Sequence, residues 1–189
     1  MNNQMQVYSV RLEGVRPLLF DRYAGDNQTK LSPENKFYLG QDQQLIIPAL
    51  NIFSLLAAEN TKSAAKMFFG KQWSKIAQGI KAHVDIDPYE IPILDENNQP
   101  IRFNGFTGGK VEVIHHVARL AKGVPNPKER PKLNLPWALE FNLSYLANKD
   151  ATVANVRQAI EEGGSIGLGT FRPFFGTYRM TRFELTAGE

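Results

Sequence analysis

The chain has 189 residues, no cysteine and a formal net charge of +3, enough for one domain with a proper core or a small domain carrying a large insertion. Without cysteine there is no disulfide framework, thiolate nucleophile or cysteine zinc site, and a reducing, cytoplasmic compartment is the expected home. No apolar run reaches the length of a membrane span, and the first residues lack a basic segment followed by an apolar one, so neither a membrane nor a secretory leader is expected.

In chain order, Met5 to Glu13 alternates with Tyr8, Val10 and Leu12 on one face, which predicts a first strand. Asp21 to Gln44 is polar and broken by Ser32-Pro33 and Gly40, a long loop. Pro48 then suits the first turn of an alanine- and leucine-rich helix to Ala58. A second helical piece, interrupted at Gly70, runs to about Gln78. Ala82 to Asp87 reads as a strand ended by Pro88, and Ile91 to Leu94 with Pro100 to Phe103 as a hairpin. Lys110 to Leu120 is strand-like. The following Lys122 to Lys132 holds three prolines, which predicts a protruding basic arm without regular pairing. Trp137 to Leu146 has a period of two, with Trp137, Leu139, Phe141, Leu143 and Tyr145 on one face. Val153, Val156 and Ile160 mark a helix to Glu162, with Gly163 at its C′ position, and Thr177 to Leu185 is the last strand.

Apart from the β-rich segment inserted at about 89–134, the order is βαββαβ. That predicts a single α+β domain over 1–189 with a ferredoxin-like or RNA-recognition-motif core. Its antiparallel sheet has two helices on one face and leaves the other face open to a ligand.

From Gly163 to Gly176, five of fourteen residues are glycine, interleaved with Phe171, Arg172, Phe174 and Phe175. Glycine brings backbone N–H groups close to a ligand, while arginine and aromatics supply charge and flat apolar surface, a combination suited to a polyanion that carries bases. A Walker loop is excluded because the stretch has no lysine. A dinucleotide fingerprint is excluded because the stretch follows a helix instead of opening one.

Charge is unevenly distributed. Gly105 to Lys132 holds six Lys/Arg against two Glu, and Gly163 to Phe183 holds three Arg and no carboxylate. Positive charge concentrated in aromatic-bearing loops points to a nucleic-acid partner.

The pattern resembles the RAMP superfamily, whose members form the backbone of class 1 CRISPR effector complexes and include RNA-processing relatives. The likeness is carried by Ile47-Pro48-Ala49-Leu50-Asn51-Ile52, similar to an Ile-Pro-Gly-Ser helix opening but with Ala49 for glycine, and by the Gly163 to Phe175 stretch. The resemblance implies a non-catalytic protein without cofactor that assembles in copies along a single-stranded guide or target RNA, with an inserted thumb and other effector subunits as neighbours. The alternatives are a virus-encoded binder of single-stranded DNA and an RNA endonuclease using a loop aspartate, Asp21 or Asp26. The expected nucleic-acid contacts are Arg22, Asn51, Lys110, His115, Arg119, Lys122, Lys128, Arg130, Lys132, Gly164, Gly167, Gly169, Phe171 and Arg172.

No metal site is expected. Adjacent His115 and His116 face opposite sides of a strand, and His83 is placed on another strand. Asp85 and Asp87 share one strand face and read as solvated. RNA-processing relatives use an early histidine, which this chain lacks before His83.

Overall fold

The structure is a computed structural model that describes residues 5–26, 28–119, 123 and 125–188. Its elements in chain order are β1 (Met5–Gly14), β2 (Leu18–Leu19), β3 (Ile46–Pro48), α1 (Ala49–Ala57), α2 (Ala64–Phe68), α3 (Trp73–His83), β4 (Val84–Asp87), β5 (Glu90–Leu94), β6 (Val111–Arg119), β7 (Pro125–Leu133), β8 (Ala138–Leu146), α4 (Val153–Ile166) and β9 (Tyr178–Gly188).

All strand pairs are antiparallel, and among the described residues they form two sheets. In the main sheet β1 lies between β8 and β9, while β4 and β5 share the far side of β8. The order β4/β5, β8, β1, β9 is that of a ferredoxin-like α+β fold. One face of the sheet is apolar because the period of two puts Val10, Leu12, Leu139, Phe141, Leu143 and Tyr145 on the same side. There they form one core with Ile52, Leu55 and Leu56 of α1, Ile76 and Ile80 of α3, and Val156 and Ile160 of α4. No helix among the described residues is long and apolar enough to cross a membrane.

The helix starts follow local chemistry. Thr152 and Asn155 form a reciprocal cap on α4: Asn155 N donates to Thr152 Oγ1 at 3.2 Å and Thr152 N donates to Asn155 Oδ1 at 2.9 Å, a device worth about 1 kcal/mol. The helix end differs from expectation, because Gly163 and Gly164 lie inside α4, which runs to Ile166 and is closed by Gly167 at φ 87°. The reason is tertiary. A Cβ on Gly164 would sit 2.3 Å from the carbonyl oxygen of Tyr178, so glycine lets α4 lie directly on β9, offsetting a helix-propensity cost of about 1 kcal/mol.

Two other expectations are corrected. Ala82 and His83 form the last turn of α3, and only Val84 to Asp87 is strand. The proline-rich segment is a regular strand. β7 pairs with β6 residue by residue from Val111 and Leu133 to Arg119 and Pro125. Pro125, Pro127 and Pro131 have the same parity, and Phe20 N donates to the Pro131 carbonyl at 3.0 Å. That side of β7 therefore faces away from β6, where a missing N–H costs no ladder bond. β2 pairs with this side, at Leu18 with Leu133 and Leu19 with Lys132, and ties the hairpin to the core. The expected partner runs 91–94 and 100–103 lie side by side, joined by a bridge between Leu94 and Pro100.

Candidate nucleic-acid interface

After α4 the chain makes a turn stapled to the segment just before and within β2. Gly176 N donates to the Pro17 carbonyl at 2.8 Å and Thr170 N to the Leu19 carbonyl at 3.0 Å. The turn closes on itself through Leu168 N to the Gly176 carbonyl at 2.9 Å. With its backbone committed inward, its large side chains point outward: Phe174 is 74% exposed and Phe171 40% exposed.

The turn lines the smaller of two clefts. The smaller, of about 280 Å³, is lined by Tyr38, Asn51, Ser54, Gly169, Thr170 and Arg172 together with Asp21. The larger, of about 880 Å³, lies between segment 21–31 and the β6–β7 hairpin, with Arg22, Asp26, Lys30, His115 and Lys128 in its walls. Asp21 and Lys36 also line it, so the two clefts meet at Asp21.

An ionic knot occupies that junction. Asp21 Oδ2 accepts from Arg130 Nε at 2.7 Å and lies 2.6 Å from its Nη2, while Lys36 Nζ stands 3.5 Å from Asp21 Oδ1 and donates to the Glu129 carbonyl at 2.5 Å. Arg130 is only 6% exposed. Its guanidinium lies 4.9 Å from the ring centre of Phe171, and the His116 ring meets the same ring edge-on at 4.6 Å. His116 Nε2 contacts Arg130 Nη1, and burial, then the neighbouring Arg130 and Lys36 cations, hold the imidazole below its ordinary pKa against the opposing pull of Asp21. A neutral ring accepting at Nε2 carries its proton on Nδ1, which is buried without a hydrogen-bond partner. Hairpin, turn and loop are thereby joined through one partly buried charge cluster.

The sequence candidates divide accordingly. Asn51, Gly169 and Arg172 come together at the smaller cleft, and Arg22, His115 and Lys128 at the larger. Phe171 and Arg130 sit at their junction. Arg172 is exposed, and its Nη1 donates to the Gly167 carbonyl at 3.4 Å. His115 faces out and pairs with Glu129 at 3.3 Å, while His116 turns inward, as adjacent strand positions require. Lys110 donates to the Pro136 carbonyl at 2.7 Å and lies 3.5 Å from Glu96, and Lys132 pairs with Glu112. Neither lines a cleft. Gly164 and Gly167 are buried by packing. Arg119 ends β6, and Lys122 lies outside the described residues.

Both candidate aspartates are engaged within the fold: Asp21 in the knot, and Asp26 in a turn where its Oδ1 accepts from Gln28 N at 2.7 Å and Thr29 N at 2.6 Å. Thr29 Oγ1 adds a bond to Oδ2 at 2.7 Å, and the Thr29 side-chain and backbone donors with the Gln28 N–H hold this carboxyl below its usual range. No group of three or more His, Asp or Glu among the described residues could hold a metal ion.

On the open face of the main sheet three arginines share two carboxylates. Arg11 lies 3.0 Å from Glu13 and 2.5 Å from Glu140, Arg182 lies 3.0 Å from Glu140, and Arg179 lies 3.5 Å from Glu13. Hydrogen bonding from Arg11 keeps the Glu13 carboxyl below its ordinary range. Sequence reasoning missed Tyr38, Ser54, Thr170 and Arg16, whose Nη1 donates to the Pro173 carbonyl at 2.9 Å. Thr170 lies within the glycine-rich stretch, whereas Tyr38, Ser54 and Arg16 carry no local motif and are brought to it only by the fold.

No family model matches the chain, and no curated protein matches it. Its fold is similar to that of a chain in the cryo-EM structure of the Type III-B Cmr-beta bound to cognate target RNA, with a TM-score of 0.53 and 12% sequence identity. The likeness covers 98% of this chain and 60% of that one, so the present chain spans 60% of the length of the protein it matches. At this identity the likeness concerns the fold alone, an α+β fold with a ferredoxin-like antiparallel sheet.

Proposed function

We propose that this protein binds single-stranded RNA across the turn at 167–176 and the β6–β7 hairpin, as a non-catalytic subunit that adds in copies along the strand. The observation that carries this reading is the convergence of Asn51, Gly169, Thr170 and Arg172 on one cleft, beside the exposed rings of Phe171 and Phe174. The one acid lining that cleft, Asp21, is neutralised by Arg130 and Lys36. Cationic and amide groups suit phosphates, and exposed rings suit stacked bases. The fold similarity to a chain of an RNA-bound assembly supports the same reading.

The test is affinity for a short single-stranded RNA over a salt series, with DNA of the same sequence alongside, because only contacts to the 2′-hydroxyl separate the two sugars. A falling log K against log salt is expected, since neutralised phosphates release counterions. Arg172→Ala is expected to weaken binding by about 1–3 kcal/mol for all sequences and to lower the salt slope by about one phosphate. Its melting temperature should hardly move, because the Gly167 contact is long, at 3.4 Å. Lost stability with unchanged affinity would assign Arg172 to the turn instead. Complexes whose protein count stays at one as the strand lengthens would rule out assembly in copies.

A further inference from the structure

Residues 59–83 hold five lysines, Lys62, Lys66, Lys71, Lys75 and Lys81, against one acid, Glu59. None of the five lines either cleft. Lys66 lies on α2 and Lys75 and Lys81 on α3, while Lys62 precedes α2 and Lys71 lies in the short turn between the two helices. Lys81 Nζ reaches Glu59 Oε1 at 2.5 Å, and Lys66 Nζ bonds the Glu59 carbonyl and lies 5.0 Å from the centre of the Trp73 ring. Lys75 stands 3.6 Å from Asp150, while Lys62 and Lys71 make no ion pair among the described residues. At about 1.5 Å per residue, Lys75 to Lys81 spans about 9 Å along α3, the length of about three phosphates of one strand.

We propose that this lysine surface is a second, sequence-independent contact for a nucleic-acid phosphodiester backbone, separate from the clefts. Residue choice decides between a polyanion and a protein partner. Protein interfaces are enriched in Arg and aromatic residues and depleted in Lys, whereas all five cations here are Lys, and Phe68, Phe69 and Trp73 pack against the core. Lysine ammonium groups act as mobile point charges, suited to phosphate without base readout. The proposal does not rest on the cleft reading, since it needs no base contact and admits duplex as well as single strand.

The test compares the parent protein with the triple variant Lys62→Gln, Lys71→Gln, Lys75→Gln, which leaves the Glu59-bound lysines in place. Salt series are measured on a short single strand, a strand several times longer and a blunt duplex. The triple variant is expected to keep its melting temperature and its short-strand affinity. It should lose about two to three in salt slope on the long strand or the duplex, and the matching Lys→Arg variant should retain that slope. A loss confined to the long strand assigns the surface to single-stranded flanks, and a loss on the duplex assigns it to paired ones. An unchanged slope on both overturns the proposal. So does a triple variant that loses capture by immobilised polyglutamate while its nucleic-acid binding is unaltered, since that outcome marks an acidic protein as the partner. If the triple variant melts early, Lys71→Glu alone serves in its place and is read on the same strands. Arg172→Ala weakens the short and the long single strand alike, whereas the triple variant spares the short one, so failure at the cleft and failure at this surface are told apart.

Discussion

Two glycine-bearing segments, 105–109 and 163–176, use glycine for opposite reasons. Gly176 has φ 72°, and a Cβ there would lie 1.9 Å from the Leu168 carbonyl oxygen, whereas Gly108 has φ 111° with nothing within 4 Å. In the longer segment glycine removes bulk so that two backbones can touch; in the shorter it only permits a turn in open space. Glycine density therefore marks the inside of the 163–176 segment, and the groups it offers to a ligand are its other residues, Thr170, Phe171, Arg172 and Phe174. The same contrast separates the cations: the three arginines Arg11, Arg179 and Arg182 on the main sheet face share the two carboxylates Glu13 and Glu140, while Arg172 is exposed with only a carbonyl contact.

The sharpest way to break this comparison is Gly176→Ala. Overlap with backbone on top of a left-handed φ is expected to cost about 4 kcal/mol or more, or to prevent folding. Gly108→Ala carries only the left-handed penalty, about 1–2 kcal/mol. Urea denaturation of the two variants measures the difference, and equal costs would show that the close approach at Gly176 is relieved by a small backbone shift.

Next in size is the knot. Arg130→Met removes the nearest partner of Asp21, whose carboxylate is a quarter exposed and keeps Lys36 at 3.5 Å, so a loss of about 1–3 kcal/mol is expected. Adding Asp21→Asn should recover part of that loss, because the two substitutions share one interaction. Strict additivity in the double variant would mean that Asp21 is solvated independently of Arg130.

The smallest effect is pH dependence through His116. Its folded pKa lies below the unfolded value of about 6.5, so the unfolded chain binds the proton first as pH falls. Stability from the neutral imidazole is complete above that value and drains as pH drops through the folded pKa. The parent protein should therefore lose more melting temperature between neutral and mildly acidic pH than His116→Gln does, and parallel curves would remove His116 from the account.

Periodicity sufficed wherever one residue's neighbours along the chain decide its side. The Trp137 to Tyr145 alternation, the α4 apolar positions and the βαββαβ order follow from side chains that must be buried on one face of a strand or helix. It failed where a distant backbone sets the outcome: α4 continues through Gly163 and Gly164 because Tyr178 lies against them, and β7 tolerates three prolines because their parity puts them on the edge away from β6.

Composition and short-range pattern were enough for the fold class and for the two segments where positive charge concentrates. Only the tertiary structure decided which cations are available, because pairing depends on contacts such as Arg130 with Asp21, 109 positions apart, and the Coulomb attraction that cancels a charge acts through space.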